Sequence, residues 1–291
     1  MGEPLLLKGA PVAARIREEA ARDVEALKAR NVHPHLAFIY PESDGGARSY
    51  ADSQRKSCEK AGIGYTARAL PEPVSQAALT AAIESLRDDP AVTGILLHQP
   101  WPKSVNEIEA RLGIGASHDV EGLHPHAMGL LALGAPVQEP CTAAAAIEML
   151  KAAGQPLAGK DLVIVGRSPA VGRALALLLL KDKKTPTITI CHTATADLGA
   201  QTRRADVLVV AAGRPGLVTG EMVKEGAVVI DVGTNVVKAA DGTEKLVGDV
   251  DFASVAPRAS AITPVPGGVG PVTSALLLRN IVMCARQLFP E

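Results

Sequence analysis

The sequence predicts a two-domain α/β protein in which each half is a largely parallel sheet layered with helices. Three observations carry this expectation. Short apolar runs alternate with amphipathic stretches along the 291 residues, the pace of βαβ units. Hydrophobic residues make up 47% of the chain and aromatic residues only 2%. The core must therefore be built of Ala, Val, Leu and Ile, which suits strands buried on both faces. Finally, "HDVEGLHPHAMGLLALGAPVQEP", rich in Gly, Pro and His, interrupts the alternation before it restarts. This places a junction near residue 138, giving one domain over residues 1–138 and a second over 139–271. The last helix, 272–291, is expected to pack back on the first domain.

The elements follow in order. "PVAARIREEAARDVEALKAR" has apolar residues at helical spacing. "HLAFIY" reads as a buried strand, and "PESDGGARS" as a loop because of its Gly, Ser and Asp. An amphipathic helix follows in "RSYADSQRKSCEKAG", with Tyr50 and Gln54 one turn apart. "SQAALTAAIESLRDD" is a further helix and "VTGILLH" a further strand. Beyond the junction, "CTAAAAIEMLKAAG" is a helix. "KDLVIVG", "PTITICH", "ADVLVVAAG" and "GAVVIDVG" are strands, with the helix "VGRALALLLLKD" between the first two. "TSALLLRNIVMCARQLF" closes the chain as a helix.

Bulk properties narrow the function. A formal charge of −1 offers no general basic field for nucleic acid or an anionic membrane. The few aromatics argue against base stacking. No apolar run approaches the roughly 20 residues that span a bilayer, and the N-terminus lacks a basic segment followed by a long apolar one. A soluble, cytoplasmic protein without nucleic-acid or membrane partners is expected. Cys58, Cys141, Cys191 and Cys284 are far apart and form no CxxC pair. They read as small buried hydrophobes, and no metal site is expected.

"VIVGRSPAVGRALA" is a strand, a turn with Gly166 and Gly172, and a helix. Such a turn brings backbone N–H groups and a helix N-terminus towards a pyrophosphate, as in Rossmann-type domains. The G-x5-G spacing is also compatible with a tight turn that holds no ligand. The next strand, "TITICHT", ends without the acid that would bind a ribose 2′-hydroxyl. With Arg167 in the first loop, NADP is favoured over NAD, since a guanidinium fork suits a 2′-phosphate. His192 and Thr193 are rim contacts or solvated loop residues. "ITPVPGGVGPVTSALL" sets Pro266, Gly267 and Gly268 ahead of the last helix, either to bring bare backbone against a flat ligand or as a rigid turn.

Together these motifs resemble the FolD-type methylenetetrahydrofolate dehydrogenase/cyclohydrolases. The likeness runs nearly end to end and is densest in "VGRSPAVGRALALLLL", "CHTATADL", "ADVLVVAAGRPGLV", "GAVVIDVGTN", "LVGDVDF" and "ITPVPGGVGPVTSALLLRN". The resemblance implies an N-terminal catalytic domain, a Rossmann-type NADP domain, a cleft between them and a homodimer. It also implies two reactions of one-carbon metabolism on a tetrahydrofolate derivative. Hydride passes from the methylene carbon to the nicotinamide, and water then opens the methenyl ring. It points to Gly166, Arg167, Ser168, Val171, Gly172, His192, Thr193, Gly213 and Thr234 for the cofactor. Tyr50, Pro100, Asp119, Glu121, Pro266, Gly267 and Gly268 are implied for the substrate.

The departures from that pattern fall where the family does its chemistry. The family's lysine four residues after the tyrosine is here Gln54. Lys56 is turned about 120° from Tyr50 on a helix and should face elsewhere. The family's "GILVQLP" becomes "GILLHQP", so His98 holds the glutamine position and Gln99 points to the other face. "KDVDG" becomes "HDVEG", with Glu121 for the pterin-holding aspartate. "HPxNxG" becomes "HPHAMG", with Ala127 for asparagine, and Ala47 lacks a hydroxyl found in relatives. The catalytic candidates are therefore Tyr50, Gln54, His98 and Glu121. An amide cannot ferry a proton at ordinary pH, so cyclohydrolase activity is expected to be weak or lost while hydride transfer survives. The alternatives are an oxidoreductase acting on a modified pterin or another substrate, and a non-catalytic NADP-binding regulatory homologue.

Overall fold

The computed structural model describes residues 3–181, 183–238 and 242–290. Residues 1, 2 and 291, the extremes of the expected domain ranges, lie outside them. The chain divides into two units. One takes the residues up to Ala14, Leu133–Ala135 and Pro140–Thr273; the other takes Arg15–Ala132, Pro136–Glu139 and the residues from Ser274 on.

In chain order the structure begins with β1 (Leu5–Leu6) and α1 (Gly9–Ala29). The three-stranded sheet follows: β2 (His35–Pro41), β3 (Gly64–Leu70) and β4 (Gly94–Leu97), ordered β3-β2-β4 and parallel throughout. The crossovers are α2 (Gly45–Lys60) and α3 (Gln76–Arg87). β2 is central, and Leu36 to Ile39 are fully buried. Ala37, Ile39, Ile95 and Leu97 pack with Leu79 and Ile83 of α3, each large aliphatic contributing about 1.5–3 kcal/mol. β3 was not legible from the sequence because, as an edge strand, it leaves most of its side chains exposed. Nor were α4 (Glu107–Ile114) and α5 (Pro125–Ala132), short helices lying in and beside the Gly- and Pro-rich interruption. From the C-terminal segment, Asn280 Nδ2 donates to Val120 O (2.9 Å) and Glu139 O (3.0 Å), tying that helix into this unit.

Helix α2 starts at Gly45, inside the stretch expected as loop. Two glycines of poor helix propensity hide the start. The Asp44 side chain fixes it, accepting from Ala47 N at 2.9 Å, as an N-cap does.

The second unit opens with α6 (Cys141–Ala152), β5 (Asp161–Val165), a π-turn over Pro169–Arg173, α7 (Ala174–Leu180) and β6 (Thr187–Cys191). It continues with α8 (Leu198–Thr202), β7 (Val207–Val210) and β8 (Val228–Asp231). The hairpin of β9 (Asn235–Lys238) and β10 (Glu244–Val247) follows, then α9 (Phe252–Val255), β11 (Ala261–Ile262) and the start of α10 (Val269–Leu288), whose residues from Ser274 on belong to the three-stranded unit. The large sheet has the order β1-β11-β8-β7-β5-β6 and is parallel throughout. Val163, Val165, Leu208, Val210 and Val229 lie in its core. The start of the chain joins this sheet, Leu5 pairing with Ala261, and two residues are too short a run to read from sequence. α10 begins at Val269, so Gly270 and Pro271 occupy its first turn rather than a loop. Proline is tolerated there because the first N–H groups have no helical partner.

All four cysteines are free and buried, and no described helix is long and apolar enough to cross a membrane.

Candidate functional site

Ligands of open parallel sheets sit beyond the carboxyl ends of the strands, where the strand order reverses. In the six-stranded sheet that place lies between β5 and β7, and the loops leaving both strands meet there. Val165, Gly166, Arg167 and Ser168 from the first line a cavity of about 360 Å³ with Ala211, Ala212 and Arg214 from the second and His192, Thr193 and Thr195 beyond β6. Gly166 has φ 127°, and a Cβ on it would lie 2.1 Å from Ala211 O. A Cβ on Gly172 would meet the Gly166 carbonyl at 2.1 Å. Both loops therefore approach one another backbone to backbone, and only glycine permits it.

Ser168 caps the π-turn, accepting from Val171 N at 3.2 Å. Arg167 and Ser168 are exposed at the cavity's lip. The His192 ring is tied locally, its Nδ1 accepting from Ala194 N at 3.1 Å. Gly213 (φ 64°) lies in the loop after β7, and Thr234 is exposed after β8. Val171 and Gly172 stand on the π-turn. Pro266 and Gly267 are exposed and Gly268 is buried; Gly9 N donates to Gly267 O at 2.8 Å.

Asp249 holds the loop after β7, and Asp231 holds the segment that carries Asp249; the sequence alone singles out neither. Asp249, fully buried, accepts from Ala212 N (2.5 Å), Gly213 N (2.9 Å), Arg214 N (2.8 Å) and Asn235 Nδ2 (2.8 Å). Asp231 accepts from Gly233 N (2.9 Å), Asp249 N (3.0 Å) and Val250 N (3.0 Å). Burial pushes its carboxyl up to about 6, against the pull of those three N–H groups. The aspartates stand within the "GAVVIDVGTN" and "LVGDVDF" motifs, and only tertiary structure shows that the first holds the segment carrying the second.

A second cluster lies at the carboxyl ends of β2 and β4 in the three-stranded unit. Phe38 on β2 is its hub. The ring of Tyr50 meets it edge-on at 5.6 Å, and the imidazole of His98 does so at 6.0 Å. Tyr50 and His98 stand 6.4 Å apart. Tyr50 is 38% exposed, while Gln54, one turn on, is 1% exposed. The Gln54 Oε1 has no hydrogen-bond partner among the described residues. Lys56 is exposed, as its angular offset requires. His98 Nε2 lies 3.3 Å from Asp44 Oδ2, so the helix-capping aspartate also faces the imidazole. Ala47 is fully buried in the first turn of α2.

Gln99 goes the other way, as neighbouring residues of a strand must. Oriented to satisfy both ends of its amide, it donates to Glu107 Oε1 (2.9 Å) and accepts from Arg111 (3.3 Å). Arg111 pairs with Glu121 at 3.2 Å, both side chains largely buried. Burial pushes the Glu121 carboxyl up to about 7, Arg111 pulling it down and Asp119 adding to the rise. Asp119 is 2% exposed and accepts from Glu121 N (3.1 Å) and His124 N (2.6 Å), shaping the turn. Its own carboxyl is raised by burial. Pro100 is exposed after a cis peptide bond, and Ala127 is buried on α5. Asp44 and Arg111 were not anticipated. The first could have been found as a helix cap; no local signal marks the second.

Comparison with known proteins agrees with this geometry. Residues 7–121 match the catalytic domain of tetrahydrofolate dehydrogenase/cyclohydrolase, and residues 140–289 match its NAD(P)-binding domain. The chain is 48% identical to the bifunctional protein FolD of Bordetella petrii over 97% of its own length and 94% of the relative's. Among solved structures, it is similar to the FolD methylenetetrahydrofolate dehydrogenase/cyclohydrolase of Campylobacter jejuni, with TM-score 0.90, 40% identity, and coverage of 98% and 99% of the two chains. It is likewise similar to the Trypanosoma brucei enzyme solved with NADP and an inhibitor, with TM-score 0.93, 35% identity and full coverage of both chains. With both domain models matched and relatives of this identity spanning its length, the chain belongs to the tetrahydrofolate dehydrogenase/cyclohydrolase family.

Proposed function

We propose that this protein is an NADP-dependent enzyme that oxidises methylenetetrahydrofolate to methenyltetrahydrofolate and opens the methenyl ring only weakly. The observation that carries the reading is the contrast between a complete dinucleotide cradle and a buried glutamine in the place of a proton carrier. The cradle fits NADP. It offers side-chain-free backbone at Gly166 and Gly172, a roomy cavity, and Arg167 with no competing acid at the end of β6. NADP bound there would serve as hydride acceptor. Gly166, Ser168, Val171 and Gly172 would hold its pyrophosphate, and Arg167, His192 and Thr193 its 2′-phosphate end. Gly213 and Thr234 would bound the remainder.

The folate would be oriented by stacking on Tyr50 and by donating hydrogen bonds to Asp119 and Glu121. Pro100 would supply an apolar wall. Hydride transfer then requires placement, which these residues can give. Ring opening requires proton movement, which the Gln54 amide cannot supply. Residues 1–138 with 272–291 would form the catalytic part, 139–271 the cofactor part, and the working form would be a cytoplasmic homodimer.

The test is one reaction followed at two wavelengths. Purified protein, methylenetetrahydrofolate and NADP should yield reduced nicotinamide while methenyltetrahydrofolate accumulates. Absence of reduced cofactor despite saturating substrate overturns the proposal. Formyltetrahydrofolate appearing as fast as hydride is transferred overturns its second half.

A further inference from the structure

The cluster around Phe38 holds an imidazole with a carboxylate set against it. We propose that His98, oriented by Asp44, is the proton carrier for whatever ring opening this protein catalyses. The inference rests on the reading that methenyltetrahydrofolate binds beside Tyr50.

The geometry supports this in three ways. First, His98 follows the last residue of β4, and its backbone N–H is held by Ile39 O at 2.9 Å, so the ring leaves a rigid strand end. Second, Nε2 faces Asp44 Oδ2 at 3.3 Å while the other oxygen of Asp44 caps α2. An Nε2–H donated to this fixed carboxylate leaves Nδ1 with its lone pair, the arrangement by which a carboxylate selects a histidine tautomer and steadies the imidazolium. Third, the His98 side chain is 15% exposed and the Tyr50 beside it 38%, so water reaches the place where the substrate ring would lie. Gln54, buried on the same helix with its oxygen unpartnered, offers a hydrogen-bond acceptor but no proton exchange.

The step balances without a co-reactant. A water oxygen forms a bond to the methenyl carbon while His98 Nδ1 accepts one of the water protons. The imidazolium then returns that proton to the ring nitrogen whose bond to the carbon breaks. The remaining hydroxyl proton passes to solvent as the formyl C=O forms. The charged or titratable groups facing the imidazole among the described residues are Asp44, from the turn before α2, and Tyr50, from α2; β2 presents Phe38. Asp44 is the positioning residue of the pair.

Methenyltetrahydrofolate supplied directly makes the test independent of hydride transfer. His98→Gln should lower hydrolysis above the spontaneous rate by about 10²-fold, within the usual worth of general acid–base help. Hydride transfer should fall far less. NADP affinity and the thermal midpoint report that the variant is folded. Asp44→Asn retains a helix cap but can turn its amide N–H towards Nε2 and so lose the tautomer selection, which should lower kcat for hydrolysis by about 10-fold while KM for methenyltetrahydrofolate holds. Unchanged hydrolysis in His98→Gln, no hydrolysis above background in the unmodified protein, or an unchanged kcat in Asp44→Asn each overturns the proposal. Failure of the underlying reading is separate, seen as no reduced nicotinamide from the unmodified protein.

Discussion

The cofactor loops and the Phe38 cluster are built from different materials. Around Gly166 the walls are backbone: two glycines that accept no Cβ, and peptide N–H groups gathered by Asp249. Around Phe38 the walls are side chains carried on a helix and a strand end, namely Tyr50, Gln54, His98 and Asp44. A backbone-built site is coupled to the fold, since any side chain added at Gly166 collides with the next strand's loop. A side-chain-built site can exchange its chemistry while the helix and strand stay where they are. The departures from the family pattern, at residues 54, 98, 121 and 127, all fall in the three-stranded unit.

The sharpest test of that division is Gln54→Lys. If only the proton carrier is missing, ring opening should rise by about 10²–10⁴-fold, with hydride transfer changed much less. Stopped-flow loss of methenyltetrahydrofolate measures the first and reduced nicotinamide the second. No gain would mean that the remodelling extends past one side chain, with Glu121 the first suspect. The converse experiment is Gly166→Ala. It places a methyl 2.1 Å from Ala211 O at φ 127°, so the turn must move. NADP affinity should weaken by about 10-fold or more, since each 1.4 kcal/mol of lost contact is tenfold. Calorimetric titration reads it, and an unchanged affinity would break the claim that backbone makes this site.

This division also explains what the sequence revealed. Gly166 and Gly172 were legible because a strand, a glycine turn and a helix follow one another within a single stretch. Tyr50, Gln54 and their spacing were legible because helical periodicity is local. The Asp44–His98 pair joins residues 54 positions apart, and Gln99, Arg111 and Glu121 meet from three separate segments, before, on and after α4. No periodicity encodes such meetings. β1 escaped notice for the same reason: two residues have no pattern, and their partner, β11, lies some 250 positions away.

A smaller effect separates the two regions by pH. Asp231 is 3% exposed, with its carboxyl raised to about 6. A raised carboxyl contributes stability that is present below its ordinary range and lost as pH rises through the folded value. Stability of the six-stranded unit should therefore fall by about 2 kcal/mol between pH 4 and pH 7 on account of this group. Asp231→Asn should flatten that slope in guanidinium unfolding, even though it loosens the N–H groups the carboxylate gathers and lowers the curve overall. A slope that survives the substitution assigns it to another group.

The smallest predicted effect belongs to Arg111, and its sign is the informative part. Glu121 is raised to about 7 by burial, and Arg111 is the group that pulls it back. Removing the guanidinium by Arg111→Ala lets the Glu121 value climb further, so a larger share of stability is lost as pH rises. The pair is partly reached by solvent, its side chains 15% and 23% exposed, so its worth lies below that of a fully buried pair. The variant should be destabilised by about 1 kcal/mol more at pH 8 than at pH 5.5, a difference that urea titrations at the two pH values resolve. An equal loss at both would mean that Arg111 serves packing alone. A larger loss at pH 8 would mean that the Glu121 charge is held in place by the Arg111 guanidinium, so that the longer carboxylate at this position depends on its arginine.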